Sequence, residues 1–154
     1  MNKFTLKNIA VVSLIIGFIF GILAAIPFVG IFSLCSVMLL VAPLTIIYLI
    51  MDGKLDLTTP KDSIIHGAAA GFCANLTFSG TFSVIIAVMA AFGYIQNLFL
   101  SAVIVNSPIW LLFINIIFVG FLVAATNSFS GFLTYYLIDF VRDMYERKSG
   151  NGRI

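Results

Sequence analysis

Residues 8–51, NIAVVSLIIGFIFGILAAIPFVGIFSLCSVMLLVAPLTIIYLIM, run for 44 positions without an Asp, Glu, Lys or Arg. A helix needs about 20 mostly apolar residues to cross the roughly 30 Å hydrocarbon core of a bilayer, so this stretch holds two crossings. Its midpoint carries a break at Ile26-Pro27-Phe28-Val29-Gly30, where proline removes a backbone donor and glycine tolerates a turn. A second uncharged stretch, 63–138, covers 76 residues. Four crossings would consume nearly all of it and leave nothing for turns, so it too holds two. They part at Asn106-Ser107-Pro108, with Ser107 as N-cap and Pro108 in the first helical position.

The composition agrees with that reading. Of 154 residues, 62% are hydrophobic and 9% charged, with a mean hydropathy of +1.17. Soluble domains carry roughly a quarter charged residues. A net charge of +2 gives no footprint for nucleic acid. The sequence predicts an all-α, polytopic transmembrane bundle of four helices plus a C-terminal amphipathic helical extension, in one integral membrane domain over 1–154. The spans are expected at about 8–26, 28–51, 61–93 and 108–127, and the amphipathic helix at about 129–148.

With four spans, Lys3, Lys7, Lys54, Lys61, Arg142, Arg147, Lys148 and Arg153 all fall on one side, whereas the connections around Pro27 and from Tyr94 to Ser107 are uncharged. Lys and Arg in short loops mark the cytoplasmic face, so both termini and the 52–62 loop are expected inside a prokaryotic plasma membrane. Lys3 and Lys7 ahead of an apolar run from Ile9 to Ile26 have the look of a signal peptide. The run is longer than the usual 7–15 or so residues and Leu23-Ala24-Ala25 is a poor cleavage site, so the sequence predicts a retained first span.

Small residues recur every four positions: Gly17 and Gly21 in the first span, Gly67 and Gly71 opening the third, Gly120 and Ala124 in the fourth. Such faces let backbones approach closely in lipid, and they serve packing within one chain or association between copies. Pro43 should kink the second span unless a neighbouring group takes up the freed carbonyl. Thr59-Pro60-Lys61-Asp62 reads as an N-cap, a first-turn proline and an acid at N3. The helix from Pro60 to Gly93 would be about 51 Å long at roughly 1.5 Å per residue, which calls for tilt, a cytoplasmic extension or a break near Asn75 to Gly80. From Phe129 an apolar stripe through Phe132, Tyr136, Phe140 and Met144 opposes Asp139, Arg142, Asp143, Glu146 and Arg147. This amphipathic helix is expected to bend or tilt away from the fourth span near Asn127-Ser128, burying Phe132, Tyr136 and Phe140 and leaving Asp139 in water.

Little in the sequence points to catalysis. No HExxH, phosphate loop or Gly-x-Ser-x-Gly occurs, so no enzyme, catalytic residue, cofactor or metal site is expected. Cys35 and Cys73 fall at different depths and are expected as separate thiols. Asp62 and His66 share a helix face near the interface, which is half a metal site at most. Asn75 and Asn115 share a mid-membrane depth, where a direct contact would satisfy both amides; with Thr77, His66 and Asp62 they make up the candidate polar intramembrane site. The chain is thus expected to be a non-enzymatic membrane component whose partners are membrane lipid and either copies of itself or a larger complex. The alternative is a small transporter or channel with a polar path between the third and fourth spans, marked by a cavity that reaches Asn75 and Asn115.

Pro27-Phe28, a cysteine in the outer part of the second span, the Thr59-x-x-Asp62 loop end and Gly67-Ala68-Ala69-Ala70-Gly71 resemble uncharacterised families of small four-span prokaryotic membrane proteins. The resemblance covers about a third of the chain. It implies a four-helix membrane fold and no activity. Those families often have a glycine-rich second span and paired cysteines, where this chain has Val41-Ala42-Pro43 and Ser33-Leu34-Cys35.

Overall fold

The computed structural model describes residues 3–26, 28–56, 59–94 and 99–150, in which the regular structure is entirely helical. The helices are α1 (Lys3–Ala24), α2 (Val29–Leu39), α3 (Val41–Met51), α4 (Pro60–Ala91), α5 (Phe99–Asn106) and α6 (Ile109–Gly150). α1, α4 and α6 are each long and apolar enough to cross a membrane. α2 and α3 reach that length only as a pair, bent by 61° at their junction, so the candidate spans among the described residues number three, or four if the pair is one broken span. Pro27, Arg153 and residues 95–98 of the connection after Tyr94 lie outside the described residues.

Three of the helix ends have a clear local cause. Gly53 (φ 65°) and Gly93 (φ 79°) take the left-handed conformation that glycine adopts without a Cβ penalty. After α3, Gly53 N–H donates to Ile50 O (3.0 Å) and Lys54 N–H to Leu49 O (2.9 Å); after α4, Gly93 N–H donates to Ala90 O and Tyr94 N–H to Met89 O, both at 3.0 Å. Each pair closes off carbonyls that the helix end would otherwise strand. At the start of α4, Thr59 Oγ1 accepts from Asp62 N–H (3.2 Å) and donates to Asp62 Oδ2 (2.8 Å), with Pro60 in the first turn. Lys54 Nζ lies 2.6 Å from Asp52 Oδ2, and that hydrogen bond and charge raise the lysine pKa above its ordinary value.

α4 is the centre of the bundle. A Cβ on Gly17 would strike Ala74 and Thr77, and one on Gly21 would lie 2.9 Å from Phe78 O and from Thr81 Cβ. The contacts advance in step along both helices, so α1 and α4 run parallel. On the opposite side of α4, Ser63 Oγ donates to Gly131 O (2.6 Å), Gly67 abuts Asn127, and Gly71 meets Val123 and Asn127. Here the numbers run in opposition, so α6 is antiparallel. This places the starts of α1 and α4, residues 52–56 and the later part of α6 at one end, and Lys7, Lys54, Lys61, Arg142 and Arg147 with them.

α6 departs from expectation. It is one helix of 42 residues, about 63 Å along the chain, unbroken at Asn127-Ser128. Asn127 and Ser128 direct hydrogen bonds to the Val123 and Ala124 carbonyls (3.0 and 2.8 Å) and leave the backbone N–H ladder in place, so nothing breaks the helix. Along this continuous helix the buried face that meets α4 is Gly120, Val123, Asn127, Gly131 and Thr134. Tyr136 and Phe140 are therefore turned outward, 51% and 60% exposed, and Phe132 is only half-buried. Asp139 is exposed as expected. α4 is likewise unbroken across Asn75 to Gly80.

Candidate functional site

The break between α2 and α3 follows from Pro43. Having no N–H, proline leaves Leu39 O without its helical donor, and the bend separates Val37 O and Met38 O from the N–H groups of the next turn. α6 supplies the replacements. Asn127, fully buried, accepts from Ala42 N–H through Oδ1 at 2.8 Å, and its Nδ2 lies 2.9 Å from Val37 O and 3.0 Å from Met38 O. Ser130 Oγ donates to Leu39 O at 2.6 Å. Irregular backbone in a bilayer interior survives only where protein groups satisfy it, and here two side chains of one helix do so.

α2 is held at its other end by different means. Phe28, just before it, has φ 68°, a conformation uncommon outside glycine. A Cβ on Gly30 would come 2.7 Å from Ala24 O, so only glycine lets the start of α2 approach the end of α1 so closely. Ser33 Oγ donates to Phe20 O (2.6 Å), tying α2 to α1, and Ser13 and Thr45 share a hydrogen bond (3.3 Å) between α1 and α3.

Above the Asn127 contact α2 diverges from α6, and the wedge between them opens into a cleft of about 420 Å³. α4 forms its back wall, with Ile104 of α5 and Ala24 of α1 closing the far end. The volume lies within the roughly 300–1,000 Å³ of small-molecule sites. The polar side chains in the lining are Asn75, Ser79, Ser83 and Asn115; the remainder is apolar, with Ile31 and Leu122 exposed at the lips.

Asn75 and Asn115 thus line one cleft, but they do not bond to each other. Asn75, 1% exposed, lies over Gly120, where a Cβ would come within 3.3 Å of its Nδ2. The bare glycine leaves the neighbouring turn of α6 open, and Nδ2 donates to Ile116 O at 3.0 Å, while Oδ1 accepts from Ser79 Oγ at 3.4 Å. Asn115 is exposed and makes no hydrogen bond. Thr77 turns away from the cleft: its Oγ1 donates to Ala74 O (3.1 Å) beside Gly17.

The other sequence candidates have structural settings. Asp62 caps α4. His66 is buried, with no hydrogen-bond partner at Nδ1. Gly17 and Gly21 face α4; Gly67 and Gly71 face α6; Gly120 faces Phe72 and Asn75. Cys35 is an exposed free thiol and Cys73 a half-buried one. Among the described residues no three His, Cys, Asp or Glu side chains gather in a metal-binding group. The sequence reading missed Asn127, Ser130 and Ser83. Pro43 was the available signal for the first two, since a freed carbonyl demands a donor from a neighbouring span. No family model, curated protein or solved structure matches the chain.

Proposed function

We propose that the protein is a non-enzymatic integral membrane protein that binds a small lipophilic molecule in the cleft between α2, α4 and α6, as a carrier of transporter type. The observation that carries this reading is the cleft itself, which puts Asn75 and Asn115 into the lining of one largely apolar space. An ion or water channel would need continuous rows of polar side chains. Four polar groups among apolar walls suit a molecule that is itself mostly hydrocarbon. In this reading α2 and α3 together form one crossing, and the positively charged end of the bundle is cytoplasmic.

The test is to extract the full chain from native membranes in mild detergent and identify small molecules that stay with it by mass spectrometry. A molecule retained by wild type and lost from Leu34→Trp, which fills the cleft, supports the reading. Identical spectra from the two proteins contradict it.

A second reading has an observation of its own. Tyr136, Phe140 and Met144 stay exposed in the later part of α6, on either side of Asp139, the charge that ends the uncharged stretch. Such a face favours association with a further copy or a membrane-complex partner. Cross-linking at Phe140→Cys in native membranes checks this.

A further inference from the structure

We infer that the ligand of the cleft is uncharged: a mostly hydrocarbon molecule with one small hydrogen-bonding group, an alcohol or a ketone, which enters sideways from the bilayer between α2 and α6. This rests on the ligand-binding reading above and adds the chemical class.

Charge is the first discriminator. No Asp, Glu, Lys, Arg or His lines the cleft, and helix backbones occupy their own carbonyls and N–H groups along its walls. A carboxylate, phosphate or ammonium would surrender its hydration there without a counter-charge, at a cost of several kcal/mol.

The second discriminator is the hydrogen-bonding capacity left over. Asn75 is already committed at both ends, to Ile116 O and Ser79. Ser83 Oγ and the Asn115 amide both line the cleft and make no hydrogen bond. Ser83 stands one turn beyond Ser79 on α4, and Asn115 adjoins Ile116 on α6, so the two free groups lie on facing walls at neighbouring levels. Between them they offer donors and acceptors, which matches one hydroxyl or carbonyl oxygen. An unpaired amide on a lipid-facing helix is otherwise expensive to keep.

The route follows from the lips. Ile31 of α2 is 68% exposed and Leu122 of α6 49% exposed, so the opening between them is apolar on both sides. A molecule dissolved in hydrocarbon crosses it without passing a polar barrier. Phe78, Phe82, Leu112 and Val119 then receive the hydrocarbon part.

The experiment measures thermal unfolding of the full chain in detergent at pH 7 with 1-decanol, 2-undecanone, decanoate or decylammonium at equal free concentrations. The two neutral probes should raise the melting temperature of wild type. Leu34→Trp and, independently, Val119→Phe should abolish that shift, and the Ser83→Ala/Asn115→Leu pair should weaken binding about five- to tenfold, as the loss of two intramembrane hydrogen bonds predicts. Equal protection by decanoate or decylammonium that is also lost in the filled variants overturns the neutral class while leaving the cleft as a binding site. Shifts unaffected by both filled variants overturn the binding reading itself. If Asn115→Leu instead turns an oligomer into monomers, the amide belongs to a contact between copies, and the proposal falls.

Discussion

The Asn127 amide stands in for part of a missing helical turn, and the stability of the α2–α3 junction is concentrated in it. Replacing it by leucine keeps the volume roughly but strands Ala42 N–H and the carbonyls of Val37 and Met38 in a water-free interior. Each stranded group costs about 1–3 kcal/mol in soluble proteins, and intramembrane hydrogen bonds average nearer 0.6, so Asn127→Leu should lose about 2–4 kcal/mol in reversible unfolding. Ser130→Ala, which strands one carbonyl, should lose about 1. A loss for Asn127→Leu no larger than that for Ser130→Ala would contradict the assignment. Glycines give a sharper contrast. A Cβ at Gly67 collides with Asn127 O, whereas Gly80 has open space around it. Gly67→Ala should therefore destabilise by more than 1 kcal/mol or so, and Gly80→Ala should be neutral or stabilise by up to about 1 kcal/mol through helix propensity; equal effects on melting would sink the close-approach argument. The glycine faces were legible in the sequence because four-residue spacing is local information. The destination of the Asn75 amide was not. Depth counting matched Asn75 to Asn115 but could not see that Gly120 exposes the Ile116 carbonyl.

At the scale of elements, the bend between α2 and α3 has two coupled causes, the proline that frees Leu39 O and the α6 side chains that hold the opened turn. Pro43→Ala alone should leave stability within about 1 kcal/mol of wild type, because Ser130 already occupies Leu39 O. Combined with Asn127→Leu, it should recover part of that variant's loss, since a straightened helix can satisfy the carbonyls of residues 37–39 from the N–H groups of 41–43. A double-mutant cycle measures this coupling. Strict additivity would show that the bend does not depend on the pair. The ends of α3 and α4 were legible from Asp52-Gly53, Gly93 and Thr59-Pro60-Lys61-Asp62, whose chemistry acts within a few residues. The expected departure of α6 at Asn127-Ser128 does not break the helix, because polar side chains that bond the preceding turn leave the backbone N–H ladder in place. A continuous α6 keeps its small-residue face on α4 and turns Tyr136 and Phe140 outward.

For the whole molecule, an all-helical fold with three long apolar helices and a charge pattern gathered at one end was legible in the sequence, because composition and charge spacing report directly on the solvent. The cleft was not, since it arises from the divergence of α2 and α6 above a contact between residues far apart in the chain. Everything proposed for the cleft depends on α2 and α3 crossing the bilayer as one broken span and not dipping back to the side they left. The measurement that decides this is labelling of single cysteines by an impermeant thiol reagent, with Cys35 and Cys73 replaced by serine. Phe28, 93% exposed, precedes α2, and Gly53 follows α3. In sealed cells Phe28→Cys and Tyr94→Cys should react, and Gly53→Cys should react only after the membrane is opened. Reaction of Phe28→Cys and Gly53→Cys from the same side would make α2–α3 a re-entrant loop and contradict the four-crossing bundle.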